Sequence, residues 1–308
     1  MSLLIRLFQQ SKKGSLLWSL YWSYLGIRVR ILRYIYKLYK FKFVQFIKIN
    51  IPKSEYRRYF HCHYNYGDNI QNIVYLNLLS KSMPEVEFIY GINPNQISQV
   101  REFVGVRNLS IISIKESPWH SIDMWKNRYN FWQRSYKRYD YYIFYMEFYE
   151  YFSKRIHVKN PIRSKYDLMT DNIKSKEILY DVLFVNSKPM SSQFFYDENE
   201  LNEKIRLLNS HFNIITTRKV EGVQSTSDSS LSLYDIGSLS SQCRCVVAIS
   251  TGPSWPVLNK INYKNCLPIL ILCSDELVNF SPCSSVDSSL SHIVDFVNNA
   301  VNKEAGNN

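Results

Sequence analysis

The first sixty residues of this 308-residue chain contain a single acidic side chain, Glu55, and no apolar run long enough to cross a bilayer. Their longest uncharged stretch is the fourteen residues from Gly14 to Ile27, which is interrupted by serine and glycine. A spanning helix needs roughly 20 apolar residues, so this stretch is not read as a span. No small-residue cleavage site follows it, which argues against a removed secretory leader. Paired Cys-x-x-Cys motifs are also missing. The six cysteines, Cys62, Cys243, Cys245, Cys266, Cys273 and Cys283, form no disulfide-dense framework, and a reducing compartment fits them. Zinc has no evident home: Cys243 and Cys245 are two apart, and His61 and His63 alternate across an expected strand. No metal site is expected.

What the first sixty residues do contain is 13 Lys or Arg, which with Glu55 account for the whole net charge of +12. The remaining residues are neutral, with 25 basic and 25 acidic side chains. A helix from about Leu16 to Phe41 would set Arg30, Arg33, Lys37 and Lys40 along one side. Trp18, Trp22, Leu25, Leu32, Ile35, Tyr36 and Tyr39 would lie around them. Aromatic rings at headgroup depth and long basic chains reaching phosphates suit an anionic membrane surface, engaged through residues 16–48. The alternative is a helix docked on the protein's own body with its basic side solvated. Nucleic acid is not an expected partner, because the body beyond the arm carries no excess positive charge.

The body reads as two rounds of strand and helix. Tyr59–Tyr64 is an expected strand, followed by the turn Asn65–Asn69 and a helix from Ile70. Val86–Gly91 and Leu109–Ile114 are further strands, Gln99–Phe103 a short helix, and Tyr141–Tyr145 a fourth strand within an aromatic segment able to line an acceptor cleft. A joint falls near Asn160–Arg163. The second round has strands at Asp181–Asn186, Phe212–Thr217, Cys245–Ile249 and Leu267–Leu272, with helices at Asn199–Asn209 and His292–Val301. The expected fold class is α/β: two Rossmann-like domains facing a cleft, preceded by the basic helical arm. The boundaries are 1–58 for the arm, 59–160 for the first domain and 161–308 for the second.

Ligands in open α/β sheets bind beyond the strand ends, and two loops there carry suitable groups. In Gly67-Asp68-Asn69 the glycine permits a sharp turn. Asp68 is either a cap for the following helix or a general base. Ser250-Thr251-Gly252-Pro253 offers hydroxyls and backbone N–H groups at an expected helix start, which suits a diphosphate or simply begins a helix. Ser187, Lys188, Ser191 and Ser192 form a second phosphate-friendly loop, with Lys188 either neutralising a phosphate or solvated. Arg218 and Lys219 face the same two alternatives.

Together, Gly67-Asp68-Asn69-Ile70-Gln71 and the run from Tyr234-Asp235-Ile236-Gly237-Ser238-Leu239 through Cys245–Ile249 to Ser250-Thr251-Gly252-Pro253 resemble the two signatures of the heptosyltransferase-like glycosyltransferases. The resemblance covers about residues 60–295, and only the two short motifs are sharp. It implies the GT-B architecture, an inverting and metal-independent reaction, and a nucleotide-sugar donor with no separate cofactor. It implies that Asp68 is the base and that Thr251, Gly252, Pro253 and Lys188 lie near the donor phosphates. Ser250 and Trp255 stand where the family usually has aspartate and histidine. The expected acceptor is a cell-surface glycan or polysaccharide, possibly lipid-linked, as in lipopolysaccharide or capsule assembly. The expected location is the cytoplasmic face of the plasma membrane. The Tyr-Gly-Asp-Asn turn is also similar to that of polysaccharide pyruvyl transferases, although their Arg-x-His is absent. A non-catalytic membrane or nucleic-acid binder is the remaining alternative.

Overall fold

The computed structural model describes residues 56–132, 141–171, 173, 177–189, 194–229, 231–273 and 284–305. Of the arm, residues 1–55 lie outside these, as do Ser191, Ser192 and Cys283, while Arg57 and Arg58 belong to the first strand. None of the described helices is long and apolar enough to cross a membrane.

Two sheets, parallel throughout, organise the described chain. The first is built from β1 (Arg57–His61), β2 (Glu87–Ile92), β3 (Leu109–Ser113) and β4 (Ile122–Asp123), in the order β3-β2-β1-β4. The helices around it are α1 (Tyr66–Ser82), α2 (Pro94–Val100), α3 (Met124–Trp132) and α4 (Tyr141–Arg155). The second sheet runs β10-β9-β8-β5-β6-β7. Its strands are β5 (Tyr180–Val185), β6 (Ile214–Thr216), β7 (Gln224–Ser225), β8 (Cys243–Ile249), β9 (Ile269–Leu272) and β10 (Ser284–Asp287). Its helices are α5 (Glu198–Asn209), α6 (Leu233–Ser240), α7 (Lys260–Lys264) and α8 (Ile293–Ala305). In each sheet the chain starts in the interior, builds outward to one side, then crosses back. The strand order therefore reverses between β1 and β4 and again between β5 and β8. Such reversals splay the following loops apart and open a crevice at the strands' carboxyl ends.

The local reasons are conventional. In α5, Leu201, Ile205 and Leu208 recur at helical spacing and are buried, while the Asp197 side chain accepts from the backbone N–H groups of Asn199 and Glu200. β5 pairs with β8 and β8 with β9, and the alternate residues of the apolar runs Val182–Val185 and Cys245–Ile249 are buried in two separate cores, so both faces of the sheet are covered.

Two elements differ from the sequence reading. Tyr141–Tyr145 is not a strand but the first part of α4. Tyr145, Phe148, Tyr149 and Phe152 are all buried, and their spacing is that of one helix face; this packing overrides the strand preference of an aromatic run. The helix expected from Ile70 begins four residues earlier, at Tyr66, so Gly67-Asp68-Asn69 is its first turn and not a loop before it. Smaller shifts are the end of β1 at His61 and the start of the short helix at Pro94, continued by a 3-10 turn at Arg101–Phe103.

α1 buries polar as well as apolar side chains, and several of these are wired internally, while Gln71 Oε1 and Ser80 Oγ have no partner among the described residues. Tyr90 Oη donates to Asn69 Oδ1 at 2.6 Å, Asn72 Nδ2 donates to Tyr90 Oη at 2.9 Å, and Tyr149 Oη donates to Asn72 Oδ1 at 3.0 Å. Tyr75 shares a hydrogen bond with Ser153 and stacks on Tyr149 with ring centroids 4.3 Å apart. Burial raises the phenol of Tyr75 to about 12 and pushes Tyr90 and Tyr149 well above the usual tyrosine value of 10. A phenol raised on folding stabilises the native state only while it stays protonated. The contribution is therefore complete below pH 10 and lost as pH climbs toward 12. Tyr75 alone would withdraw roughly 2 kcal/mol across that window. Thermal melts at pH 8, 10 and 11.5 should show a steep fall over the last interval. A flat profile would mean these rings are solvated.

Candidate functional site

Arg218 and Lys219 follow β6, while most of the described candidate residues fall at the two strand-order reversals. At the first, β1 leads through Cys62–Asn65 into α1, which places Asp68 at the third position of the helix, where a carboxylate is favoured by the helix N-terminus. Asp68 caps nothing. Asn65 holds the cap position, and the Asp68 carboxylate turns instead toward α3 and α4. There Arg128 forms an ion pair with Asp68 Oδ1, and Tyr145 Oη donates to the same oxygen at 3.0 Å. Arg128 also donates to Tyr145 Oη at 2.7 Å, closing a triangle. Both charged side chains are largely buried, 16% exposed for Arg128 and 12% for Asp68. Both of these contacts fall on Oδ1 and fix the orientation of the carboxylate. At the end of β1, His61 Nδ1 lies 2.5 Å from Ser121 Oγ, and burial lowers the affinity of this imidazole for protons despite the pull of Asp123.

Asn69, the third residue of the first signature, is engaged inside the protein. It is fully buried, and its amide is engaged with Tyr90, Gln96 and the carbonyl of Tyr64.

At the second reversal, β8 runs into Ser250-Thr251-Gly252-Pro253. The expected helix is a 3-10 turn, Gly252–Val257, with Pro256 inside it. Proline offers no N–H and clashes with the preceding turn, so an α-helix cannot continue through it. The anion-binding capacity of this loop is smaller than the sequence implied. The Ser250 N–H donates to Leu272 O, the Thr251 N–H to Ser254 Oγ, and Pro253 has none. The Gly252 N–H remains, together with hydroxyls. On the β5 side, Asn186 Oδ1 accepts from the Arg218 N–H at 2.8 Å and its amide donates back to Arg218 O. This clamp ties the Ser187-Lys188 loop to the end of β6. Arg218 and Lys188 then converge on Glu198, at 3.3 and 4.0 Å. All three are substantially exposed, so the pairings are weak and exchangeable.

The two signature loops, far apart in sequence, touch. A Cβ on Gly252 would lie 2.9 Å from Tyr66 Cβ and 3.3 Å from the backbone nitrogen of Gly67. A Cβ on Gly67 would lie 2.4 Å from Cδ1 and Nε1 of Trp255. The Trp255 ring in turn meets Tyr145 edge-on at 5.7 Å. Glycine at both positions is thus explained by close approach: the carboxylate loop of one sheet and the hydroxyl loop of the other share a boundary. Sequence reasoning missed Arg128 and Tyr145. Each belongs to a segment crowded with aromatics and charges, and no spacing singles either out. Among the described residues, no group of three or more His, Cys, Asp or Glu is placed to hold a metal ion.

No protein-family model matches the sequence, and no curated protein matches it significantly. Solved structures do match. The Escherichia coli heptosyltransferase WaaC with ADP-2-deoxy-2-fluoro heptose superimposes with a TM-score of 0.52 at 13% identity, covering 80% of this chain and 99% of that one. The same enzyme with ADP gives 0.50 at 14% identity, covering 82% and 100%. Identities this low carry fold and nothing finer, and the fold of the described chain is that of the heptosyltransferases.

Proposed function

We propose that this protein is a glycosyltransferase that moves a sugar from a nucleotide-sugar donor to a glycan acceptor. The observation that supports this most is the meeting of Gly67-Asp68 with Thr251-Gly252 at the two strand-order reversals. The shared fold with an enzyme solved bound to ADP and an ADP-heptose analogue points the same way. In this reading Asp68 removes the proton from an acceptor hydroxyl as its oxygen attacks the anomeric carbon. The bond from that carbon to the donor phosphate breaks in the same displacement, which inverts the centre. Arg128 and Tyr145 keep the carboxylate aimed. Lys188, Arg218, the Gly252 N–H and the hydroxyls of Ser187, Ser250 and Thr251 stabilise the departing nucleoside diphosphate without a divalent ion. Pro253 fixes the entry of the 3-10 turn. Residues 59–160 carry the acceptor side and 161–308 the donor side, and their closure would exclude water.

Lys188 and Arg218 are held by Glu198 and exchange it for the diphosphate. Lys188→Ala and Arg218→Ala should each weaken nucleoside diphosphate binding about tenfold in calorimetric titration, the value of one charge-assisted contact. Equal affinity in both variants would move the phosphates elsewhere. Residues 16–48 hold the enzyme on the anionic inner face of the plasma membrane, near lipid-linked acceptors of surface polysaccharide. Full-length protein should co-sediment with phosphatidylglycerol vesicles at 0.15 M salt; staying in the supernatant would remove that part of the reading.

A further inference from the structure

The carboxyl end of the first sheet carries a cluster of rings that the proposed reaction does not use. His63 and Tyr64, just past β1, are exposed, Tyr64 by 41%. Trp125 on α3 lies 5.1 Å from each of these rings, and Tyr129, one turn further along the helix, stacks on Trp125 at 5.3 Å. Core packing accounts for most of this protein's aromatics, such as Phe60, Tyr75 and Phe152, and also holds Trp125, which is half-buried against it; it does not account for the exposed rings of His63 and Tyr64.

The backbone beneath the cluster is unusually well pinned for a loop. Asn93 Nδ2 donates to His63 O at 3.0 Å, and the Tyr64 carbonyl accepts from Asn69 Nδ2 at 3.3 Å and Gln96 Nε2 at 3.2 Å. Three amide side chains thus immobilise two consecutive residues whose rings face outward. One of the three, Asn69, adjoins Asp68 in sequence. Arg128, which holds Asp68, lies between Trp125 and Tyr129 on α3, so the rings and the carboxylate are fixed by the same two elements. Rigid rings with polar edges, carried on the same two elements as the positioned carboxylate, fit a ligand with an apolar face and hydroxyls around its rim.

We infer that His63, Tyr64, Trp125 and Tyr129 form an acceptor subsite that stacks the C–H face of a neutral pyranose and so presents its hydroxyl to Asp68. This rests on the glycosyltransferase reading and adds the chemical class of acceptor unit: an uncharged sugar ring, not an anionic one.

The test is saturation-transfer NMR on full-length protein with methyl α-glucopyranoside, methyl α-galactopyranoside and methyl α-mannopyranoside. Thermal stabilisation by nucleoside diphosphates is followed in parallel as the readout of the donor site. At least one glycoside should receive saturation on its ring C–H protons. The binding should weaken roughly fivefold in Trp125→Ala and in the surface variant Tyr64→Ala, and persist in Trp125→Phe, which keeps a ring. Nucleotide stabilisation should be unchanged in all three variants. No saturation of any glycoside by the wild type, or equal saturation in both alanine variants, overturns the subsite. So does a nucleobase, and not a sugar, saturated through Trp125. Trp125-dependent sugar binding with no nucleotide stabilisation would leave the platform standing and remove the glycosyltransferase reading.

Discussion

Asp68→Asn should reduce sugar transfer by about a thousandfold, in the range expected when a general base is removed, with nucleotide affinity unchanged. The amide oxygen can still accept from Tyr145 and Arg128, so the orientation of α1 against α3 and α4 is kept. What disappears is the negative charge that takes the acceptor proton. There is a stability cost as well, because the carboxylate and guanidinium are both largely buried. Weakening such a pair costs about 1–3 kcal/mol, and the melting temperature should fall by several degrees. Asp68→Ala should melt lower still. The two effects separate in a full kinetic comparison at a temperature well below both melts: a stability defect alone would leave the specific activity of folded enzyme intact. Transfer by Asp68→Asn within tenfold of wild type would show that another group takes the proton.

Gly252→Ala should damage a different step. Its new Cβ meets Tyr66 Cβ at 2.9 Å and the Gly67 nitrogen at 3.3 Å. Neither is the free end of a flexible side chain, so the turn itself must give way. Forcing an extra methyl into such a contact costs about 1–3 kcal/mol. It also moves the Gly252 N–H, the backbone donor left in that loop. The expected result is folded protein with a lowered melting temperature and nucleoside diphosphate binding weakened by tenfold or more, measured by titration. Unchanged binding would mean that the contact between the two loops is packing and has no part in the donor site.

The parallel-sheet architecture was legible from the alternation of apolar strands with helical segments, and β2, β3, β5 and β8 lie within a residue or two of their expected positions. The candidate residues were legible for the same reason, since short Gly-rich turns after strands mark the places where a sheet of this kind opens. α4 was misread in its first turn because four aromatic residues and Ile143 in a row satisfy strand preference locally. Only the burial of Tyr145, Phe148, Tyr149 and Phe152 on one face reveals the helix. The short strands β4 and β10 gave no apolar run to notice: Ile122–Asp123 and Ser284–Asp287 are ordered by their neighbours. Asp68 was identifiable, but its partners were not. Arg128 and Tyr145 reach it from segments distant in sequence, and such convergence leaves no local pattern. The pairing of the Ser250 and Thr251 N–H groups with Leu272 and Ser254 was equally hidden, because it depends on how the loop folds.

The central claim is a nucleotide-sugar site shared between the Gly67 and Gly252 loops. Thermal stabilisation of the full-length protein by UDP, GDP, CDP, ADP, CMP and their sugars, in the presence of EDTA, tests it most directly. The account predicts a selective rise in melting temperature for one nucleotide family, abolished by Gly252→Ala and preserved in Asp68→Asn. Folded wild-type protein that responds to none of them would contradict it.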